Sequence, residues 1–242
     1  MEEIYHRFLK IYNKFYNYDL RYSLLVSREY TIIYNFFIVY NISILGTRNS
    51  KETLEDLEAL ENLVNNYTLK LDNIFQTSIK ITQPPKIDTN TIYSILIRSD
   101  CIFDNFVNSY GCMTKNTNAM YHKVLLIEIN NFFSHILSYC NNTAQENNNI
   151  KRAIAHLYRG SLDGYKEIIK VHNIIVCASD GLKQSFFEIR AKEGSLIGEK
   201  KEENKCSIIE GYKNIANDIL TIISWEWVEK NVRHFFPTSS FF

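Results

Sequence analysis

Glycine and proline are scarce. The 242 residues include only 8 and 3 of them, too little turn punctuation for a many-stranded sandwich or barrel. Cysteines are few as well. Cys101, Cys112, Cys140, Cys177 and Cys206 are odd in number, far apart and without a CxxC pair, which excludes a disulfide framework and a zinc site at the motif level and points to a reducing compartment. Neither charge sign is in excess, with 27 Lys plus Arg against 27 Asp plus Glu. The chain as a whole therefore has no field to hold nucleic acid or an anionic membrane, and such binding needs a local patch. No basic, then apolar, leader follows Met1, so a cytoplasmic protein is expected. GxGxxG, GxxxxGK[ST] and GxSxG are missing, which removes dinucleotide, P-loop and α/β-hydrolase readings and leaves no cofactor expected. The six histidines show no HxH or HxxxH spacing, and Glu3 with His6 is the single ExxH pair. A di-iron bundle needs two such pairs, so no metal site is expected.

What the chain has is apolar residues, at 45% of the total, enough for a substantial core. They recur at threes and fours, as one face of a helix does. Ile4, Phe8, Ile11, Tyr12 and Phe15 predict a first helix from Glu2 to about Tyr18, and a second is expected from about Tyr22 to Gly46. The second contains YTIIYNFFIVYNISILG, about 17 uncharged residues, at the short end of a bilayer span. Asn35, Asn41 and Ser43 interrupt it, so it is read as a buried helix rather than a membrane segment.

Ser50 is the expected N-cap of a third helix reaching Ile79. Pro84 and Pro85 cannot continue a helix, and they divide the chain into an aromatic-rich N-terminal segment, 1–83, and a C-terminal bundle, 84–242, sharing one core. In the second part Gly111 is expected to stop a helix, and another spans about Asn116 to Cys140. Thr143 with Glu146 has capping-box spacing for a long helix to Ser179. Asp180–Gly181 marks a break before a helix from Leu182 to about Glu193, and GSLIGEKKEENK, 194–205, reads as a loop. Ser207 with Glu210 repeats the capping-box spacing for a final helix that Pro237 stops. The expectation is an all-α bundle of about seven to eight helices.

The long helix carries the residues best suited to chemistry. Arg152, His156, Arg159, Asp163, Lys166 and Lys170 alternate in steps of four and three, within a stripe about 80° wide. Ile154, Leu157, Tyr158, Tyr165, Ile168 and Ile169 form an apolar arc opposite, and Ala153, Gly160 and Gly164 between the arcs would let a neighbour approach closely. Such a stripe is either a solvated face, with Arg159 and Asp163 an ordinary i, i+4 pair, or an anion site. In the second reading Arg159, Lys166 and Lys170 bind a phosphate of RNA or a nucleotide beside Arg152 and His156, with His156 as general acid or base. From Lys151 to Lys170 there are five basic and two acidic residues, whereas Lys51 to Glu61 holds five acids and one lysine. The neutral total hides a dipolar distribution.

An Arg followed by a His along one helix of a bundle resembles the HEPN family of helical ribonucleases and toxins. In that family an Arg and a His stand four to six residues apart, and members commonly dimerise so that the pairs face each other. Here the resemblance rests on Arg152 and His156 in RAIAH, with three residues between them, and covers one helix. It implies metal-independent RNA cleavage with His156 and Arg152 as the catalytic pair. Trp225 and Trp227, flanking Glu226, read most simply as one core and one partly exposed aromatic, or else as anchors at an interface. Two functions are thus expected from the sequence. One is a non-catalytic helical module binding a protein partner or itself as a homodimer, and the other is a HEPN-like ribonuclease or RNA-binding effector; neither needs a membrane.

Overall fold

The helical rhythm of the sequence becomes helix throughout the computed structural model, which describes residues 2–46, 49–77, 79–81, 88–116, 122–141, 146–196 and 202–235. Among the described residues there are nine α-helices, one π-helical turn and no strand. In order they are α1 (Glu2–Tyr22), α2 (Tyr30–Val39), the π turn (Tyr40–Ile44), α3 (Ser50–Phe75), α4 (Thr89–Asn116), α5 (His122–Asn141), α6 (Glu146–Val171), α7 (Asn173–Ala178), α8 (Asp180–Ser195) and α9 (Glu202–Phe235). The all-α expectation holds. No helix among the described residues is long and apolar enough to cross a membrane.

The chain forms two compact units, Met1–Val107 with Met120–Gly160 and Asn108–Ala119 with Ser161–Phe242. Pro84 and Pro85, the expected boundary, lie outside the described residues. The core of the first unit is aromatic. Tyr5, Phe8, Tyr12 and Phe15 of α1 are fully buried with Phe36 of α2, Tyr40 of the π turn, Phe103 of α4 and Phe132 and Phe133 of α5. Phe8 meets Phe133 at 5.4 Å and Tyr12 meets Phe36 edge-on at 5.1 Å. Such offset contacts add about 0.5–1.5 kcal/mol each beyond area burial. Tyr12 also needs a polar partner, and its hydroxyl donates to the backbone carbonyl and Oδ1 of Asn130 at 2.8 and 2.9 Å. The second unit is aliphatic by comparison, with Ile168, Ile189, Ile208, Ile209, Ile215 and Ile219 buried around Tyr165 and Tyr212.

Several helix limits differ from the expected ones, each for a local reason. The second helix starts at Tyr30 rather than Tyr22, because Arg28 folds back onto buried Asp19 at 3.2 Å. Asn49, not Ser50, caps α3, its side chain accepting from the backbone N–H groups of Lys51 and Glu52. Gly111 does not end α4, which continues to Asn116 with Met113 fully buried beyond it. The long helix stops at Val171, and a separate α7 follows the interruption at His172, which accounts for the ninth α-helix. The break expected at Asp180–Gly181 falls one residue earlier, at extended Ser179, which caps α8 from Asp180. Because α9 starts at Glu202, Ser207 and Glu210 lie inside it. Of the expected 194–205 loop, Gly194 and Ser195 belong to α8 and 202–205 to α9, while 197–201 lie outside the described residues. Thr143, Pro237 and the side chains of Trp225 and Trp227 lie outside the described residues.

Candidate functional site

Helix α5 supplies the residue around which the first half of the stripe gathers. Its core face is Leu125, Ile129, Phe132, Phe133 and Ile136, all buried, and Glu128 is buried beside them at 8% exposure. A carboxylate in that position is costly unless paired. Helix α6 provides the partners: Nδ1 of His156 lies 2.6 Å from Oε2 of Glu128, and a guanidinium nitrogen of Arg159 donates to both carboxylate oxygens at 3.3 and 3.4 Å. Gly160 allows this approach. A Cβ there would stand 3.3 Å from the Glu128 Cβ and only 2.3 Å from the Phe106 ring. The glycine in a helix interior, unfavourable by about 1 kcal/mol on propensity alone, is thus explained by tight packing against α4 and α5.

Burial pushes the Glu128 carboxyl up, but the His156 hydrogen bond and the charges of Arg159 and His156 outweigh it, so it stands below the ordinary glutamate range. His135, two turns along α5, stacks on His156 with ring centroids 5.2 Å apart and planes 21° from parallel. Burial lowers the His135 pKa, and the charges of His156 and Arg152 lower it further against a hydrogen bond to Asn149. The arrangement can therefore hold His156 in one orientation, its Nδ1 engaged and its Nε2 directed elsewhere, as a carboxylate does for a general base. Only 15% of the His156 side chain is exposed, against 55% for Arg159. Arg152 is exposed.

The other half of the stripe belongs to the second unit and meets a different carboxylate. Nζ of Lys166 lies 2.5 Å from Oε1 of Glu193 on α8 and 5.0 Å above the ring of Tyr212. The Tyr212 hydroxyl donates to Oε2 of Glu193 at 2.5 Å, and Arg190 donates to the same oxygen at 2.8 Å. Burial and the Glu193 hydrogen bond push the Tyr212 pKa up to about 12. Lys170 is exposed and lies 3.5 Å from Glu167, and Asp163 is half-buried. The six stripe residues are thus divided: His156 and Arg159 converge on Glu128, Lys166 joins Glu193, Lys170 lies beside Glu167, Asp163 is half-buried and Arg152 is exposed.

Glu128, His135, Glu193 and Tyr212 were not among the site residues read from the sequence. The signal for Glu128 was present, since it is the lone acid in VLLIEINNFF, and a charge on an apolar face requires a partner. Among the described residues no three or more His, Cys, Asp or Glu side chains gather where they could hold a metal ion. No family model, curated protein or solved structure matches the chain, so the site is read from its own geometry.

Proposed function

We propose that the chain is a non-catalytic helical module that binds a partner protein or a second copy of itself, working in the reducing cytoplasm that its free cysteines suit. The observation that carries this reading is an apolar knob at the end of α1. Leu20, Leu24 and Leu25 are 65%, 96% and 68% exposed within six residues, in a unit whose other α1 apolar residues are largely buried. Exposed aliphatic clusters mark surfaces that another protein covers. The buried Glu128 adds support, because its carboxylate already engages Arg159 and Nδ1 of His156, two of the groups a phosphate would need.

Sedimentation over a wide concentration range tests the proposal, with Leu20→Ser/Leu24→Ser/Leu25→Ser as the comparison. Concentration-dependent association of the wild type that the triple variant loses is expected for self-binding. For a foreign partner, the leucine-dependent retention of a defined protein is expected. A monomer at every concentration, with identical proteins retained by both forms, would refute the proposal.

A second reading is favoured by one feature, the carboxylate that orients His156. It is a metal-independent, HEPN-like ribonuclease or RNA-binding effector in which His156 moves a proton and Arg152 and Arg159 hold the scissile phosphate. RNA cleavage lost in both His156→Ala and Arg152→Ala would establish it, and equal behaviour of both variants and the wild type would remove it.

A further inference from the structure

The second unit contains an apolar cavity of about 430 Å³, within the range of small-ligand sites. Its origin is local. Helix α8 turns Leu182 and Ile189 to the core, with Phe186 half-buried at the edge of that face and Phe187 off it at 59% exposure. The interruption at His172 ends α6 and starts the short α7, which packs on α8. Ile169 of α6, Val176 of α7 and the two phenylalanines then wall the cavity.

Its charged lining has one sign. Lys166, Lys170, Lys183 and Arg190 line it, and among the described residues no carboxylate does. Glu193 holds Lys166 and Arg190. Glu167 lies 3.5 Å from Lys170, and Asp180 lies 3.2 Å from Lys183 with its own carboxylate 99% exposed. Exposed pairs such as Lys183 with Asp180 contribute little and exchange readily for another anion. The walls suit an aliphatic chain and the rim suits a negative head.

We infer that this cavity, walled by Phe186 and Phe187 and rimmed by Lys170 and Lys183, binds a free aliphatic carboxylate of medium chain length. The head lies between the two lysines and the chain lies along the aromatic wall. A cavity of this size takes one chain whole, which distinguishes a free amphiphile from a lipid that remains in a bilayer. The site lies in a different unit from the leucine knob, so it stands or falls apart from the interaction reading.

The test is titration of the full chain with octanoate, decanoate and dodecanoate below their micelle concentrations, followed by calorimetry. Affinity is expected to rise roughly tenfold for each added pair of methylenes, the effect of burying them. Lys170→Glu/Lys183→Glu and Phe187→Ser each replace exposed side chains, and each is expected to weaken dodecanoate binding at least about tenfold with an unchanged circular dichroism spectrum. Dodecyltrimethylammonium and vesicles of phosphatidylglycerol in phosphatidylcholine are expected not to bind. The inference is overturned by absence of dodecanoate binding, by equal binding of the cationic amphiphile, by undiminished binding in either variant, or by vesicle binding without free carboxylate binding.

Discussion

His156 Nδ1 and Glu128 Oε2 lie 2.6 Å apart, joining α6 to the buried face of α5. The pair ties a stability question to a functional one, because the same hydrogen bond that orients the imidazole also satisfies a buried carboxylate.

Glu128→Gln keeps the shape of the side chain and removes its charge. Hydrogen bonds to a charged partner contribute about 1.5–3 kcal/mol, so a loss of about 2 kcal/mol at pH 7 is expected in urea denaturation. The folded carboxyl is more acidic than an unfolded one. Its contribution is therefore complete at neutral pH and fades as pH falls through the glutamate range toward and below 4.5. The gap between wild type and variant should close in acid, and a gap independent of pH would contradict the pairing.

His135 should titrate below 6.5, the ordinary value, since burial and the neighbouring His156 both disfavour its charged form. A proton NMR titration resolves its midpoint, and His156→Ala should move that midpoint upward. A depressed histidine pKa stabilises the fold above 6.5, and that stability is lost as pH falls through the folded value. Absence of any movement in the variant would show that the two rings do not communicate.

The glycines divide into opposite classes. Gly160→Ala must place a methyl group against the Phe106 ring. Overpacking of about 1–3 kcal/mol, less about 1 kcal/mol of helix propensity, leaves a net loss. Gly111→Ala meets nothing within 4 Å inside α4 and should stabilise by about 0.5–1 kcal/mol. Thermal denaturation of the two variants should shift the midpoint in opposite directions.

Arg28→Met removes the partner of Asp19, which is 2% exposed. Breaking such a pair costs about 3 kcal/mol. Burial already raises the Asp19 pKa despite Arg28, so the variant should recover stability relative to wild type as pH falls and the carboxyl becomes neutral. An equal deficit at pH 7 and pH 4 would argue that packing of the arginine stem, not charge, is what is lost.

Spacing of apolar residues was enough to read α1, α3 and α8 to within a few positions, because a helix face repeats locally. It was not enough at Tyr22–Gly46, where the chain turns at Arg28 to satisfy Asp19, a contact between residues nine apart. Nor did it locate the end of α4, since Gly111 is equally acceptable inside a helix that has Met113 to bury. The stripe from Arg152 to Lys170 was legible as a pattern, but its division was not. The carboxylates that take its cations sit 28 and 27 residues away, Glu128 before His156 and Glu193 after Lys166.

By itself, then, the sequence determined that this chain is helical, that its helices bury aromatic and aliphatic faces, and that one helix concentrates positive charge. Each of those properties depends on residues within a turn or two of one another. Only the tertiary structure decided which cations meet an acid, which face water and where an apolar cavity is left unfilled. Such outcomes depend on which helices come into contact, and a buried charge chooses its partner only once they do.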